Sequence, residues 1–488
     1  MRIVDGSRPA IPPGGKAPAP AAARARFTLA LAAGKAAGTA SRVLGAGGGT
    51  SFPGSVARRI DPRFLQKVAA ASSARKLIVS GSNGKTTTCR MLAALARSGG
   101  LRTAQNRTGS NLLQGVISAA VRETDLRGRM DAQLLLLEVD EATVRLVAPE
   151  LPPEVFLITN LFRDQLDRFG ELYSTARRLE AVVEALPAPA TVILNGDDPL
   201  VASLAREAPA RRLYFGIRAG DAAAHVPDHA ADSIRCLRCQ HLLDYRAVHL
   251  SHLGDYQCPE CGYARPDLDV AVTSMRPSPD GGSEITVETP AGTYRLQVPL
   301  PGMHNVYNAA AALAGAMALS LPRQLDPAGA RRAIAGLRPA FGRLEEIQAA
   351  ERQVVLAFVK NPTAYNTTLR EVLRLPGSKH VLAAHSNTSV DGEDFAWLWD
   401  VDLEQLAPQL ASLVVSGTRA EEVALRFKYA GADPVAMQVL PGRLAALDAA
   451  LSLTPPGETL YIFAGYTPMR ELRSIMQRRG WVRPSWEE

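Results

Sequence analysis

At 488 residues the chain is too long for one ordinary hydrophobic core and should divide into two or three domains. Its composition, 47% hydrophobic, 21% charged and 6% aromatic, excludes a disordered, collagen-like or disulfide-dense protein, and no run of about 18 apolar residues is available to span a bilayer. A net charge of +7 suits a polyanionic partner without choosing among nucleotide, nucleic acid and anionic membrane, and five cysteines, four of them in two close pairs, favour a reducing compartment with a metal site over a disulfide framework.

Residues 1–32 open with a Pro-, Gly- and Ala-rich stretch (Pro9, Pro12, Pro13, Pro18, Pro20) and are expected to form a disordered leader. The short apolar stretch Phe27–Leu31 is followed by Gly34 and Lys35 and leads into an Arg-containing helical segment, which argues against a secretory signal. From Lys76 the pattern alternates. Leu77-Ile78-Val79-Ser80 reads as a buried strand, followed by a Gly-rich turn and a helix from about Thr86. Further strands are predicted at 134–139, 155–159 and 191–194, with helices between them. Such alternation implies a parallel sheet covered on both faces. Residues 232–266 break the rhythm and read as an insertion. A second α/β series follows Arg343, with strands at 354–359, 380–384, 412–416, 435–440 and 459–463.

The turn after the first strand carries the most chemistry. Ser80-Gly81-Ser82-Asn83-Gly84-Lys85-Thr86-Thr87-Thr88 is a short phosphate loop, with Val79 where the longer form has glycine. Glycines let the backbone approach phosphate, and successive N–H groups at a helix start supply positive potential. Lys85 is the cation placed to meet transferring phosphate, and Thr86 can ligate Mg²⁺. An acidic metal ligand should end a neighbouring strand. Leu134–Leu137 runs into Glu138, Val139 and Asp140, and Glu138 and Asp140 should point the same way at period 2, with Glu138 preferred as the ligand.

Cys236, Cys239, Cys258 and Cys261 form C-x2-C-x18-C-x2-C, two knuckles that can supply four thiolates to a closed, structural zinc site. His241, His249 and His252 lie in the same insert and are expected to be solvated loop residues, although any could replace a thiolate. Cys89 stands alone on the helix after the phosphate loop and is expected to be buried and inert.

Three further segments become informative together: Ile158–Gly170 with Asn160 after a strand, Asn195-Gly196-Asp197-Asp198-Pro199, and Pro301-Gly302-Met303-His304-Asn305 before an Ala-rich helix. With the phosphate loop, they resemble the ATP-binding central domain of the Mur ligases, which join amino acids to peptidoglycan precursors. In that family the residue matching Asn305 contacts adenine. The four-cysteine insert, Lys360-Asn361-Pro362 and Asp391-Gly392-Glu393-Asp394-Phe395-Ala396-Trp397-Leu398-Trp399-Asp400 are similar to one branch, the ligase-like subunits of lipid II isoglutaminyl synthases. That branch more often has Asn-Pro-Ala-Gly where this chain reads Asn361-Pro362-Thr363-Ala364. The resemblance implies a Mur ligase-type P-loop domain over 33–340 carrying a zinc ribbon at 233–265. A Rossmann-like α/β domain over 341–488, which docks the partner, would follow.

The activity so implied is an ATP- and Mg²⁺-dependent amidation. The α-carboxylate of the D-glutamate in the lipid II stem peptide becomes an acyl phosphate, and ammonia converts it to D-isoglutamine. This chain shows no convincing glutaminase nucleophile, so ammonia should come from a separate subunit resembling GatD in a heterodimer. By the same resemblance Asp394 completes that partner's Cys–His pair, with Asp391 and Asp400 as nearby competitors. The protein is expected in the cytoplasm, visiting the inner membrane face where lipid II lies, and no nucleic-acid partner is expected. Two alternatives share parts of this pattern. A stand-alone Mur- or folyl-type ligase would use the same ATP machinery but has no need of the D-G-x-D segment. A zinc-ribbon nucleic-acid-binding ATPase suits the basic charge but lacks a helicase-like motif and aromatics for base stacking.

Overall fold

A computed structural model of the chain describes residues 21–43, 51–106, 109–163, 172–218, 226–227, 231–278, 281–321, 325–338, 343–349, 351–388 and 391–482. Ala21–Val43 is a helix, so the latter part of the expected leader is structured; residues 1–20 lie outside the described residues. Phe27, Ala30 and Leu31 fall on one stripe and are buried, with Phe27 stacked on Phe64 at 5.1 Å. The Pro- and Gly-rich residues upstream masked this stripe in the composition.

The first domain is built on a nine-stranded sheet. Its strands are β1 (Arg75–Ser80), β2 (Thr103–Gln105), β3 (Leu134–Glu138), β4 (Val155–Ile158), β5 (Thr191–Asn195), β6 (Arg211–Ile217), β9 (Val270–Pro277), β10 (Ser283–Thr289) and β11 (Gly292–Val298), in the order β11-β10-β9-β6-β5-β4-β1-β3-β2. The expected parallel sheet holds from β2 to β9, whereas β10 pairs antiparallel with both β9 and β11. Burial follows topology: β3 and β4 are buried along their whole length, as strands covered on both faces must be, while β11 alternates. The insert between β6 and β9 contributes a separate hairpin, β7 (Asp244–Leu250) with β8 (Leu253–Gln257).

The second domain has six strands: β12 (Arg343–Ala349), β13 (Arg352–Phe358), β14 (Lys379–Ala384), β15 (Leu410–Ser416), β16 (Met437–Val439) and β17 (Thr459–Ala464), in the order β12-β13-β17-β14-β15-β16. All neighbours are parallel except β12 and β13. Because β17 inserts between β13 and β14, the strand order reverses there, the arrangement that opens a crevice at the carboxyl ends of the strands. The strand predicted at 435–440 shortens to three residues. Pro434 and the Asp433 carboxylate, which accepts the Val435 N–H at 2.9 Å, turn the chain into a 3-10 segment first.

Candidate nucleotide and metal sites

The phosphate loop leaves β1 at Ser80 and enters the helix Lys85–Ser98. Gly81 (φ +125°) and Gly84 (φ +85°) both need conformations that side chains avoid, and both are crowded. A Cβ on Gly81 would lie 2.2 Å from Thr159 Oγ1, and one on Gly84 would lie 2.1 Å from Asn308 Oδ1. The helix starts without a side-chain cap, leaving its first N–H groups for an anion. Lys85, the cation expected to meet phosphate, is engaged within the protein. Its buried ammonium donates to the Gly81 carbonyl and lies 3.3 Å from both carboxylate oxygens of Glu141.

Glu138 ends β3 directly beside the loop, paired in register with Val79. Its Oε2 accepts the Thr86 hydroxyl at 2.8 Å, and its Oε1 takes the Asn111 amide at 3.4 Å. Two hydrogen bonds with Asn106, at 2.8 and 2.9 Å, clamp its backbone. Adjacent ligands of an octahedral Mg²⁺ sit about 2.9 Å apart. The Thr86–Glu138 pair therefore fits such an ion. Asp140 departs from the expectation: the strand stops at Glu138, so the period-2 relation ends there, and the Asp140 carboxylate accepts the Ala142 N–H at 3.1 Å in a turn.

Asparagines tie the loop to its surroundings. Asn83 N–H donates to Asn160 Oδ1 at 2.9 Å, and Asn160 Nδ2 returns a bond to the Asn83 carbonyl at 3.1 Å. Residues 164–170 of the Asn160 segment lie outside the described residues. Asn305, in the first turn of the helix Met303–Ala318, donates to the Pro301 carbonyl and accepts from Asn308 Nδ2 at 3.0 Å; Asn308 Oδ1 accepts the Thr88 hydroxyl at 3.2 Å. Ser82 and Thr87 are likewise buried in the loop and first turn. The second domain reaches the same place: Asn361 caps the helix Pro362–Arg374 and lies 3.4 Å from Asn83 Oδ1 through its Nδ2.

The four insert cysteines converge. Their Sγ atoms all lie within 4.8 Å of one another, with the Cys236–Cys261 and Cys239–Cys258 pairs at 3.4 Å. Thiolates on a tetrahedral zinc are about 3.8 Å apart. The donor set and spacing fit zinc, with all four positions filled by protein. His241 is exposed as expected, but His252 is fully buried and packs on Phe162, with ring centroids 4.7 Å apart. It belongs to the fold and not to the thiolate cluster. Cys89 is buried as expected; desolvation first, and the nearby Glu138 carboxylate second, push its thiol well above the usual range.

The three aspartates of the 391–400 segment are separated by their environments. Asp391 is tied into the second domain, accepting the Thr388 hydroxyl at 2.5 Å and the Thr467 N–H at 2.8 Å. Asp400 pairs with Arg163 at 3.3 Å. Asp394 is exposed, with Oδ1 accepting the Ala396 N–H at 2.9 Å.

The phosphate loop, the acidic end of β3 and the trailing α/β domain define a Mur ligase-type protein. The model of the Mur ligase middle domain matches residues 79–258, and that of the MurT ligase C-terminal domain matches residues 358–469. The chain belongs to the MurT family. It is 30% identical over 462 residues to a Streptococcus pneumoniae protein named lipid II isoglutaminyl synthase (glutamine-hydrolyzing) subunit MurT, covering 94% of this chain and 98% of that one. A Staphylococcus aureus protein of the same name is 30% identical over 399 residues, 81% of this chain and 86% of its own length. Among solved structures, a pseudomurein peptide ligase type C from Methanothermus fervidus matches with a TM-score of 0.63 at 20% identity, covering 83% of this chain and 79% of that one. A Mycobacterium tuberculosis folylpolyglutamate synthase matches at 0.60 and 17%, covering 94% and 96%. These structural likenesses establish the fold.

Proposed function

We propose that this chain is the ATP-using subunit of a glutamine-hydrolysing lipid II isoglutaminyl synthase. The γ-phosphoryl group of ATP passes to a D-glutamate α-carboxylate oxygen of the stem peptide, releasing ADP. Ammonia then attacks the acyl carbon, phosphate leaves with that oxygen, and one proton is lost to give the D-isoglutamine amide. The reading rests above all on Thr86 Oγ1 standing 2.8 Å from Glu138 Oε2 at the mouth of the phosphate loop.

Each residue has a role on this reading. The N–H groups at the helix start, from Gly84 to Thr87, cradle the phosphates. Thr86 and Glu138 hold Mg²⁺, whose charge offsets that of the triphosphate. Lys85 leaves Glu141 for the transferring phosphoryl group, a swap of one anion for another at little cost in charge. Asn305 holds the adenine. Zinc on the four cysteines is structural. Asp394, with its carboxylate facing solvent, orients and charges the histidine of a glutaminase subunit resembling GatD. Among the described residues no helix is long and apolar enough to cross a membrane. A cytoplasmic protein that meets lipid II at the inner membrane face completes the proposal.

Lys85→Ala, assayed with ATP, lipid II and free ammonia, tests the central step. ADP release and amidated product should fall to background while zinc content and fold persist. Near-wild-type turnover at saturating ATP would refute the assignment.

A further inference from the structure

The four-cysteine insert is joined to the phosphate loop by a continuous run of buried and part-buried contacts. Its near seam is the Asn195–Pro199 turn. Gly254 N–H donates to the Asp197 carbonyl at 2.9 Å, Arg265 donates to Asp197 Oδ1 at 3.1 Å, and the Tyr263 hydroxyl donates to the Pro199 carbonyl at 2.6 Å. From there two contacts lead inward. The Asp198 carboxylate accepts the Leu161 N–H at 2.8 Å, and the same oxygen lies 3.6 Å from His252 Nε2. The His252 ring lies against Phe162, whose backbone closes a reciprocal pair with Ser82 of the phosphate loop: Phe162 N–H donates to Ser82 Oγ, and the Ser82 hydroxyl donates to the Phe162 carbonyl, both at 3.0 Å. The adjacent Asn160 holds Asn83.

His252 is fully buried, and neither ring nitrogen has a hydrogen-bond partner among the described residues. The ring is placed by its packing on Phe162, with the Asp198 carboxylate 3.6 Å from Nε2. Phe162 lies two residues after the Asn160 that holds Asn83.

We infer that the four-cysteine insert buttresses the phosphate loop, with His252 as the positioning residue through which it supports nucleotide binding. This rests on the nucleotide reading of the loop. The coupling is an equilibrium one, so it runs in both directions: what the insert does for the nucleotide, the nucleotide must do for the insert.

The full-length, zinc-loaded chain is titrated with ADP and Mg²⁺ by calorimetry. His252→Ala should bind ADP about three- to tenfold more weakly, the factor an aromatic pair is worth, while retaining its zinc by metal analysis. His252→Phe, which keeps the ring, should restore the affinity. In the wild-type chain, hydrogen exchange at Leu253–Gln257 should slow when ADP is added, a measurement that does not depend on any variant folding. Wild-type ADP affinity in His252→Ala, or exchange in the insert indifferent to ADP, overturns the inference. A wild-type chain that binds no ADP overturns the nucleotide reading beneath it, and is distinguished by that first titration.

Discussion

Gly84→Ala probes the packing that holds the phosphate loop against the helix carrying Asn305. Two penalties combine. At φ +85° an added Cβ costs about 1 kcal/mol of backbone strain. The new methyl would also lie 2.1 Å from Asn308 Oδ1, so that side chain must retreat by more than an ångström. Asn308 is buried and bonded at both ends, to Thr88 through Oδ1 and to Asn305 through Nδ2, so retreat breaks two buried hydrogen bonds. At about 1–1.5 kcal/mol each, the total is about 3–4 kcal/mol, or a fall of roughly 6–15 °C in the melting temperature of the first domain. Gly100→Ala is the matched control: its φ is nearly the same, +84°, with nothing within 4 Å of the added methyl. It should cost only the strain of about 1 kcal/mol. The assay is differential scanning calorimetry of both variants, with ADP titration alongside. Equal melting temperatures for the two would refute the packing argument.

Other outcomes follow from the same geometry. Glu138→Gln keeps the Thr86 hydrogen bond but loses the charge, and should weaken Mg²⁺-dependent ADP release by on the order of 10²-fold or more, read from a Mg²⁺ titration; an unchanged titration would return Glu138 to a structural role. Metal analysis should give about one zinc per chain, and Cys258→Ser should speed hydrogen exchange across 233–265; a metal-free chain with native protection there would remove the metal from the account. His385 is fully buried, and burial lowers its pKa to about 3. The unfolded chain therefore takes up a proton near pH 6.5 that the folded chain refuses, so stability is full above about pH 6.5 and is lost as pH falls towards 3, by about 1.4 kcal/mol per pH unit. His385→Phe should flatten the acid side of the melting-temperature profile; an unaltered slope between pH 6 and 4 would contradict this.

The chemistry that was legible in the sequence is chemistry held within a few consecutive residues. Gly81 to Thr87 announces itself because the loop's glycines, lysine and threonine are adjacent, and the cysteines because a knuckle needs only two intervening residues. Asn106, Asn111 and Glu141 are illegible for the opposite reason: each is a single polar residue in a loop, brought to Glu138 or Lys85 only by the parallel pairing of β1, β2 and β3. The antiparallel strands β10 and β11 were missed because their alternation, as in Tyr294, Leu296 and Val298 facing inward, covers only one face and lacks the continuous apolar run of β3. His252 looked like a loop histidine because nothing local signals that Phe162, some ninety residues earlier, will cover it.

The claim that this chain both activates a carboxylate and completes a partner's glutaminase site divides cleanly at Asp394. Asp394→Asn preserves the Oδ1 that accepts the Ala396 N–H and removes only the charge. In a complex with the glutaminase subunit, ADP release and product mass are followed with glutamine and, in parallel, with free ammonia at a pH where NH₃ is abundant. The account predicts a loss with glutamine of roughly 10²- to 10⁴-fold, the upper figure being the cost of the equivalent change in a serine protease, and wild-type amidation with ammonia. Equal failure with both donors, or full activity with both, would contradict it.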